Sequence, residues 1–235
     1  MTFDGVSVLC LDAGGVLLFP DWARVSEVLA RHGLHADAAQ LAEADLRARP
    51  AFDRREVVGA TGNAGHARSY YEYVLDAAGL PDGELRKAAL GTLRASHRAR
   101  SLWDVPAPDA PAALARIRAT GRRLVVVSNS DGRLGRLLAG AGLAPFFDAA
   151  IDSQDVGVEK PDPRIFAIAL ERVGGRAAEA AHVGDIYHVD VVGARAAGLV
   201  PVLIDPLDLQ PAADCERVHS LAELAARMDG AAVQG

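Results

Sequence analysis

Two cysteines, two methionines and two lysines are all that this chain of 235 residues contains of those types. So little cysteine excludes a disulfide-built scaffold, and Cys10 lies inside an apolar run, which reads as a reduced thiol in a cytosol. Basic charge is also short. Lys and Arg together number 25 against 31 Asp and Glu, a net charge of −6, and nucleic-acid binding needs clustered basic excess. No run approaches the roughly 18 consecutive apolar residues of a membrane helix. The start, Met1-Thr2-Phe3-Asp4, lacks the basic region and small-residue cleavage site of an export signal. Neither a Gly-x-x-x-x-Gly-Lys loop nor a Gly-x-Gly-x-x-Gly turn after a strand is found, so nucleotide-dependent chemistry has no support. The expectation is a cytoplasmic protein, monomer or homodimer, with no nucleic-acid or membrane partner.

What is present is apolar mass. Half of the residues are hydrophobic and 24% are charged, enough for a sizeable core and far from a disordered composition. Short apolar or β-branched runs of strand length fall at Val6–Leu11, Arg123–Val127, Ala149–Asp152, Ala180–Val183 and Leu199–Ile204. Helical spacing separates most of them. Leu134, Leu137, Leu138 and Ala141 share one face, as do Ile165, Ile168, Ala169 and Val173. Strands joined by helical crossovers pair in parallel, so the fold class is α/β, an open Rossmann-like sheet flanked by helices.

Residues 21–101 break that rhythm. They contain no convincing strand and show helical stripes, Trp22-Val25-Val28-Leu29 and Tyr70-Tyr73-Val74-Ala77. A helical stretch of that length is too long for a crossover and reads as an inserted α-helical cap. The expected organisation is an α/β core from residues 1–20 and 102–235, with the cap at 21–101.

Ligands in open parallel sheets bind beyond the carboxyl ends of the strands, so the polar residues that end the apolar runs carry the candidate chemistry. The first run ends in Asp12, the second in Ser128-Asn129, and the Ala180 run in Gly184-Asp185, with Asp190 following. Lys160, one of only two lysines, precedes Pro161-Asp162-Pro163. Carboxylates from different strands suit an oxygen-liganded Mg²⁺, and a carboxylate can act as a nucleophile toward phosphorus. A lysine and a hydroxyl can hold the remaining phosphoryl oxygens. His182, inside an apolar strand, reads as a satisfied core residue.

Four stretches in order, Leu11-Asp12-Ala13-Gly14-Gly15-Val16, Val127-Ser128-Asn129, Gly157-Val158-Glu159-Lys160-Pro161-Asp162-Pro163 and Gly184-Asp185-Ile186-Tyr187-His188-Val189-Asp190, resemble the haloacid dehalogenase-like hydrolase superfamily. The resemblance is to the subclass with a helical cap inserted after the first strand. It implies Asp12 as nucleophile, Ser128 as a donor to the substrate oxyanion, and Lys160 as partner of Asp12 and the transferring group. It further implies Mg²⁺ on Asp12, Asp185 and the Gly14 carbonyl, with Asp190 a further or water-mediated ligand. Ser128, Asn129, Lys160, His66 and Arg68 are the expected substrate-binding residues.

One position departs from the family pattern. Family phosphatases resemble Asp-x-Asp-Gly-Thr at the first motif, and the second aspartate, their general acid, is here Gly14. The implied activity is a Mg²⁺-dependent phosphatase of a small phosphorylated metabolite. The alternatives are a metal-independent 2-haloacid dehalogenase and a weakly active or non-catalytic binding protein. Against the dehalogenase stands Gly184-Asp185, where family dehalogenases resemble a Ser-Ser-Asn form.

Overall fold

The computed structural model describes residues 3–53 and 70–229. The chain divides into two compact units, Met1–Phe19 with Pro106–Gly235, and Pro20–Val105. A two-stranded sheet pairs β2 (Leu18–Pro20) with β3 (Trp103–Pro106).

The first unit is built on a six-stranded sheet of β1 (Val8–Leu11), β4 (Arg123–Ser128), β5 (Ala149–Asp152), β6 (Ala180–Gly184), β7 (Val200–Ile204) and β8 (Glu216–Val218). The order is β5-β4-β1-β6-β7-β8, and every pairing is parallel. β1 sits between β4 and β6, with Cys10 level with Val125 on one side and His182 on the other. Its four residues are completely buried, as a strand covered on both faces requires. Full burial of each such aliphatic side chain contributes roughly 1.5–3 kcal/mol.

Alternation along the strands divides the core in two. Leu9, Leu11, Leu124, Val126, Ala181 and Val183 face one layer with Leu114, Ile117, Leu221 and Leu224 from helices Ala110–Ala119 and Leu221–Asp229. Val8, Cys10, Val125, Val127 and Ala180 face the other, with Ile165, Phe166, Ala169 and Leu170 of helix Arg164–Val173. His182 follows Ala180 by two and lies on this second face, edge-on to Phe166 with ring centroids 4.8 Å apart. The sixth strand, β8, was not expected from the sequence. It is three residues long with two of them charged, too short for a periodic signal.

Among the described residues the second unit holds four helices, Trp22–Arg31, Ala38–Phe52, Tyr70–Ala77 and Glu84–Ala99. Asp21 caps the first by accepting the Arg24 N–H, and Asp37 with Gln40 forms a reciprocal capping box on the second. Trp22, Val25, Val28 and Leu29 are all buried, as the helical stripe requires. In the third helix the buried stripe is rotated by one residue. Tyr71, Val74 and Leu75 are buried, while Tyr70, Tyr73 and Ala77 are partly covered.

Candidate active site

The strand order reverses around β1. The chain runs from β1 out to β4 and β5, then returns to the opposite side of β1 with β6. Such a reversal opens a crevice at the carboxyl ends of the strands. Asp12 leaves β1 there, its N–H still donating to the Val183 carbonyl at 2.8 Å. Ser128 ends β4 nearly buried, and Asp185 follows the last residue of β6.

Lys160 enters from the segment before helix Arg164–Val173, with its side chain fully buried. Its Nζ lies 2.9 Å from Asp12 Oδ1 and 2.7 Å from Asp190 Oδ1. Burial alone would lower the pKa of the ammonium, but the charges of Asp12 and Asp190 outweigh that and raise it. Asp12 is 13% exposed, and its Oδ1 also accepts the Ala13 N–H at 2.7 Å. Burial raises the Asp12 carboxyl above its usual range, Lys160 opposing and Asp190 adding to the rise.

Asp190 lies in a single wide helical turn, Tyr187–Val191. Both of its oxygens are committed. Oδ1 accepts from Lys160 Nζ and from His182 Nε2 at 2.9 Å, and Oδ2 accepts the Asp185 N–H at 3.2 Å and the Ile186 N–H at 3.0 Å. Burial would raise this carboxyl, but Lys160 and the His182 hydrogen bond hold it well below the carboxylate range.

His182 departs from the expectation of a satisfied core residue. Its Nε2 meets Asp190, yet its Nδ1 is buried without a hydrogen-bond partner. Burial lowers its pKa despite the Asp190 carboxylate, so the ring is neutral. Because Asp190 is an anion that can only accept, the proton sits on Nε2. The one signal in the sequence was a lone polar residue in the middle of an apolar run.

Two glycines make the crowding possible. A Cβ on Gly15, whose φ is +73°, would stand 2.1 Å from Asp185 Oδ2, and a Cβ on Gly184 would stand 2.0 Å from Asp190 Cγ. Gly14 itself does not have a positive φ.

Asn129 was expected to bind substrate. In the structure its amide clamps the main chain of Lys160, with Oδ1 accepting the Lys160 N–H at 2.7 Å and Nδ2 donating to the Lys160 carbonyl at 2.9 Å. Ser153 steadies the same loop by accepting the Ser130 N–H at 3.0 Å. His66 and Arg68 lie outside the described residues.

The donor set fits a hard dication. Asp12, Asp185 and Asp190 each bring a carboxylate oxygen into a group spanning no more than 4.8 Å. Three carboxylates face one ammonium beside a neutral imidazole. With the oxygens of Asp190 engaged, Asp12 and Asp185 are the carboxylates suited to direct coordination, and Asp190 is suited to contact through water.

Fold and site together define a hydrolase built on a Rossmann-like sheet with an acidic centre. The profile of the haloacid dehalogenase-like hydrolases matches residues 6–198, and the chain belongs to that family. It is 38% identical over 150 residues to haloacid dehalogenase-like hydrolase domain-containing protein 3 of Mus musculus, covering 63% of this chain and 59% of that relative. The chain thus matches less than two thirds of that protein's length. It is 30% identical over 189 residues to glyceraldehyde 3-phosphate phosphatase of Methanopyrus kandleri, covering 80% and 79% of the two chains. The crystal structure of a phosphatase of the family from Thermococcus onnurineus superposes with a TM-score of 0.61 at 23% identity, over 97% of this chain and all of that one. That likeness carries the fold alone.

Proposed function

We propose that this protein is a Mg²⁺-dependent phosphohydrolase of a small phosphorylated metabolite that works through an aspartyl-phosphate on Asp12. The observation that carries the proposal is the buried Asp12–Lys160–Asp190 chain with Asp185 beside it. Similarity to a phosphatase over four fifths of the chain supports the same reading.

Asp12 is the nucleophile. Its carboxylate oxygen bonds to phosphorus as the bond from phosphorus to the leaving oxygen breaks, and the resulting acyl phosphate is cleared when water attacks phosphorus and Asp12 departs as a carboxylate. Lys160 favours the ionised form of Asp12 against the effect of burial and meets the charge on the transferring group. Ser128 donates its hydroxyl to a phosphoryl oxygen. When bound, Mg²⁺ would neutralise phosphoryl oxygens and align them with Asp12.

Gly14 favours a second reading. A positioned acid typically contributes about 10²–10⁴-fold, and a glycine cannot protonate an alkoxide. Displacement of halide by Asp12 needs no such acid. The discriminating experiment is a panel of phosphorylated metabolites and 2-haloacids, assayed for phosphate and halide release with and without Mg²⁺. Mg²⁺-dependent phosphate release is the expected result. Halide release indifferent to Mg²⁺, with no phosphate release, would overturn the proposal.

A further inference from the structure

Histidine is an expensive choice for a central strand. The His182 side chain is fully shielded from solvent, and a buried nitrogen without a partner, here Nδ1, is destabilising. A leucine would fill the same space against Phe166 without that penalty. Orphaned buried polar atoms in native proteins call for a reason, and the reason lies at the other ring nitrogen. Nε2 donates to the same Asp190 oxygen that Lys160 grips. The Asp185 and Ile186 amides hold the second oxygen, and the missing Cβ of Gly184 lets the carboxylate lie against β6. Without His182, the Asp190 oxygen that faces Lys160 would be directed by Lys160 alone.

We propose that His182 is a positioning residue: its Nε2–H fixes the Asp190 carboxylate so that Lys160 Nζ is held against Asp12. The effect reaches the reacting atoms in two steps, from imidazole to carboxylate and from carboxylate to ammonium. This inference rests on the phosphohydrolase reading for its catalytic consequence, although the chain of contacts does not depend on that reading.

The test uses the full chain loaded with Mg²⁺ and three variants. Glutamine places an amide N–H near the site of Nε2. Asparagine is polar but too short to reach it, and leucine is apolar and of similar bulk. For His182→Asn and His182→Leu, kcat on an aryl phosphate should fall about 10- to 100-fold, with a smaller rise in KM, as expected for a lost hydrogen bond to a charged group. His182→Gln should stay within about three-fold of wild type, well under the 1.36 kcal/mol that a tenfold loss represents. His182→Leu should melt within a few degrees of wild type, because removal of the orphaned Nδ1 offsets the loss of the hydrogen bond to Asp190. Calorimetry with inorganic phosphate should show weakened binding in the asparagine and leucine variants and retained binding in the glutamine variant.

Glutamine and asparagine variants with equal kcat and equal phosphate affinity would overturn the proposal. So would wild-type values in both the asparagine and leucine variants, or losses of kcat that merely track lowered melting temperatures. If His182→Leu does not fold, the glutamine and asparagine pair decides. If the wild-type protein releases no phosphate, the phosphohydrolase reading fails, and phosphate affinity across the variants still decides the role of His182.

Discussion

Replacement of Asn129 separates a substrate contact from a scaffold. Its amide makes two hydrogen bonds to the Lys160 main chain, at 2.7 and 2.9 Å. Neutral hydrogen bonds contribute about 0.5–1.5 kcal/mol each. Asn129 is exposed overall, so water can replace part of what is lost and the low end applies. Asn129→Ala should therefore destabilise by only about 1 kcal/mol, or about 2–4 °C in Tm for a chain of this size. The catalytic effect should be larger, because Lys160 Nζ meets Asp12 at 2.9 Å and a displacement of about 1 Å can reduce a rate about 10²-fold. Asn129→Asp should be worse than alanine, since a carboxylate oxygen would then oppose the Lys160 carbonyl where an N–H now donates. The assay is steady-state kinetics on an aryl phosphate beside thermal denaturation. A rise in KM with unchanged kcat and Tm would refute the clamp and return Asn129 to the substrate.

Gly14→Asp should raise turnover of alkyl phosphates relative to aryl phosphates, because it supplies an acid at a position whose backbone lacks a positive φ; an unchanged ratio in a folded variant would show that the proton comes from elsewhere. Gly15→Ala should lower Tm through left-handed strain of about 1–2 kcal/mol and weaken Mg²⁺ binding through collision with Asp185, and wild-type calorimetric affinity would count against the metal assignment. Asp185→Asn should weaken Mg²⁺ binding sharply by removing formal charge from a hard-cation site, read by the same calorimetry. Asp190 is held below its unfolded pKa, so its stabilising contribution is complete above about pH 4 and is lost as pH falls toward the folded value. The stability gap between wild type and Asp190→Asn in urea should accordingly be wide at neutral pH and shrink below about pH 4; a gap that widens on acidification would contradict the assigned shift.

Asp12, Ser128 and Asp185 were legible in the sequence because each ends an apolar run, and a parallel sheet gathers strand ends at one edge. Lys160 stood out by scarcity. The clamp of Asn129 on Lys160 was not legible: it joins residues far apart in the chain through a main-chain contact, which leaves no mark on residue type at the second partner. His182 was visible as a polar interruption, but its meaning depends on Asp190 folding back beneath β6, a contact that the glycine at 184 permits. In helix Tyr70–Ala77 the pattern was right in period and one residue off in phase. Four clustered candidates, Tyr70, Tyr71, Tyr73 and Val74, leave phase to be decided by packing rather than spacing.

On the proposed route, phosphate passes through Asp12. Rapid quenching of the Mg²⁺-loaded protein during turnover of an aryl phosphate, followed by borohydride reduction and peptide mass spectrometry, reads this directly, because reduction of an aspartyl-phosphate leaves homoserine. Homoserine is expected at position 12, dependent on substrate and absent from Asp12→Asn, which should also release no phosphate. Phosphate release with Asp12 unmodified, or release that survives Asp12→Asn, would contradict it.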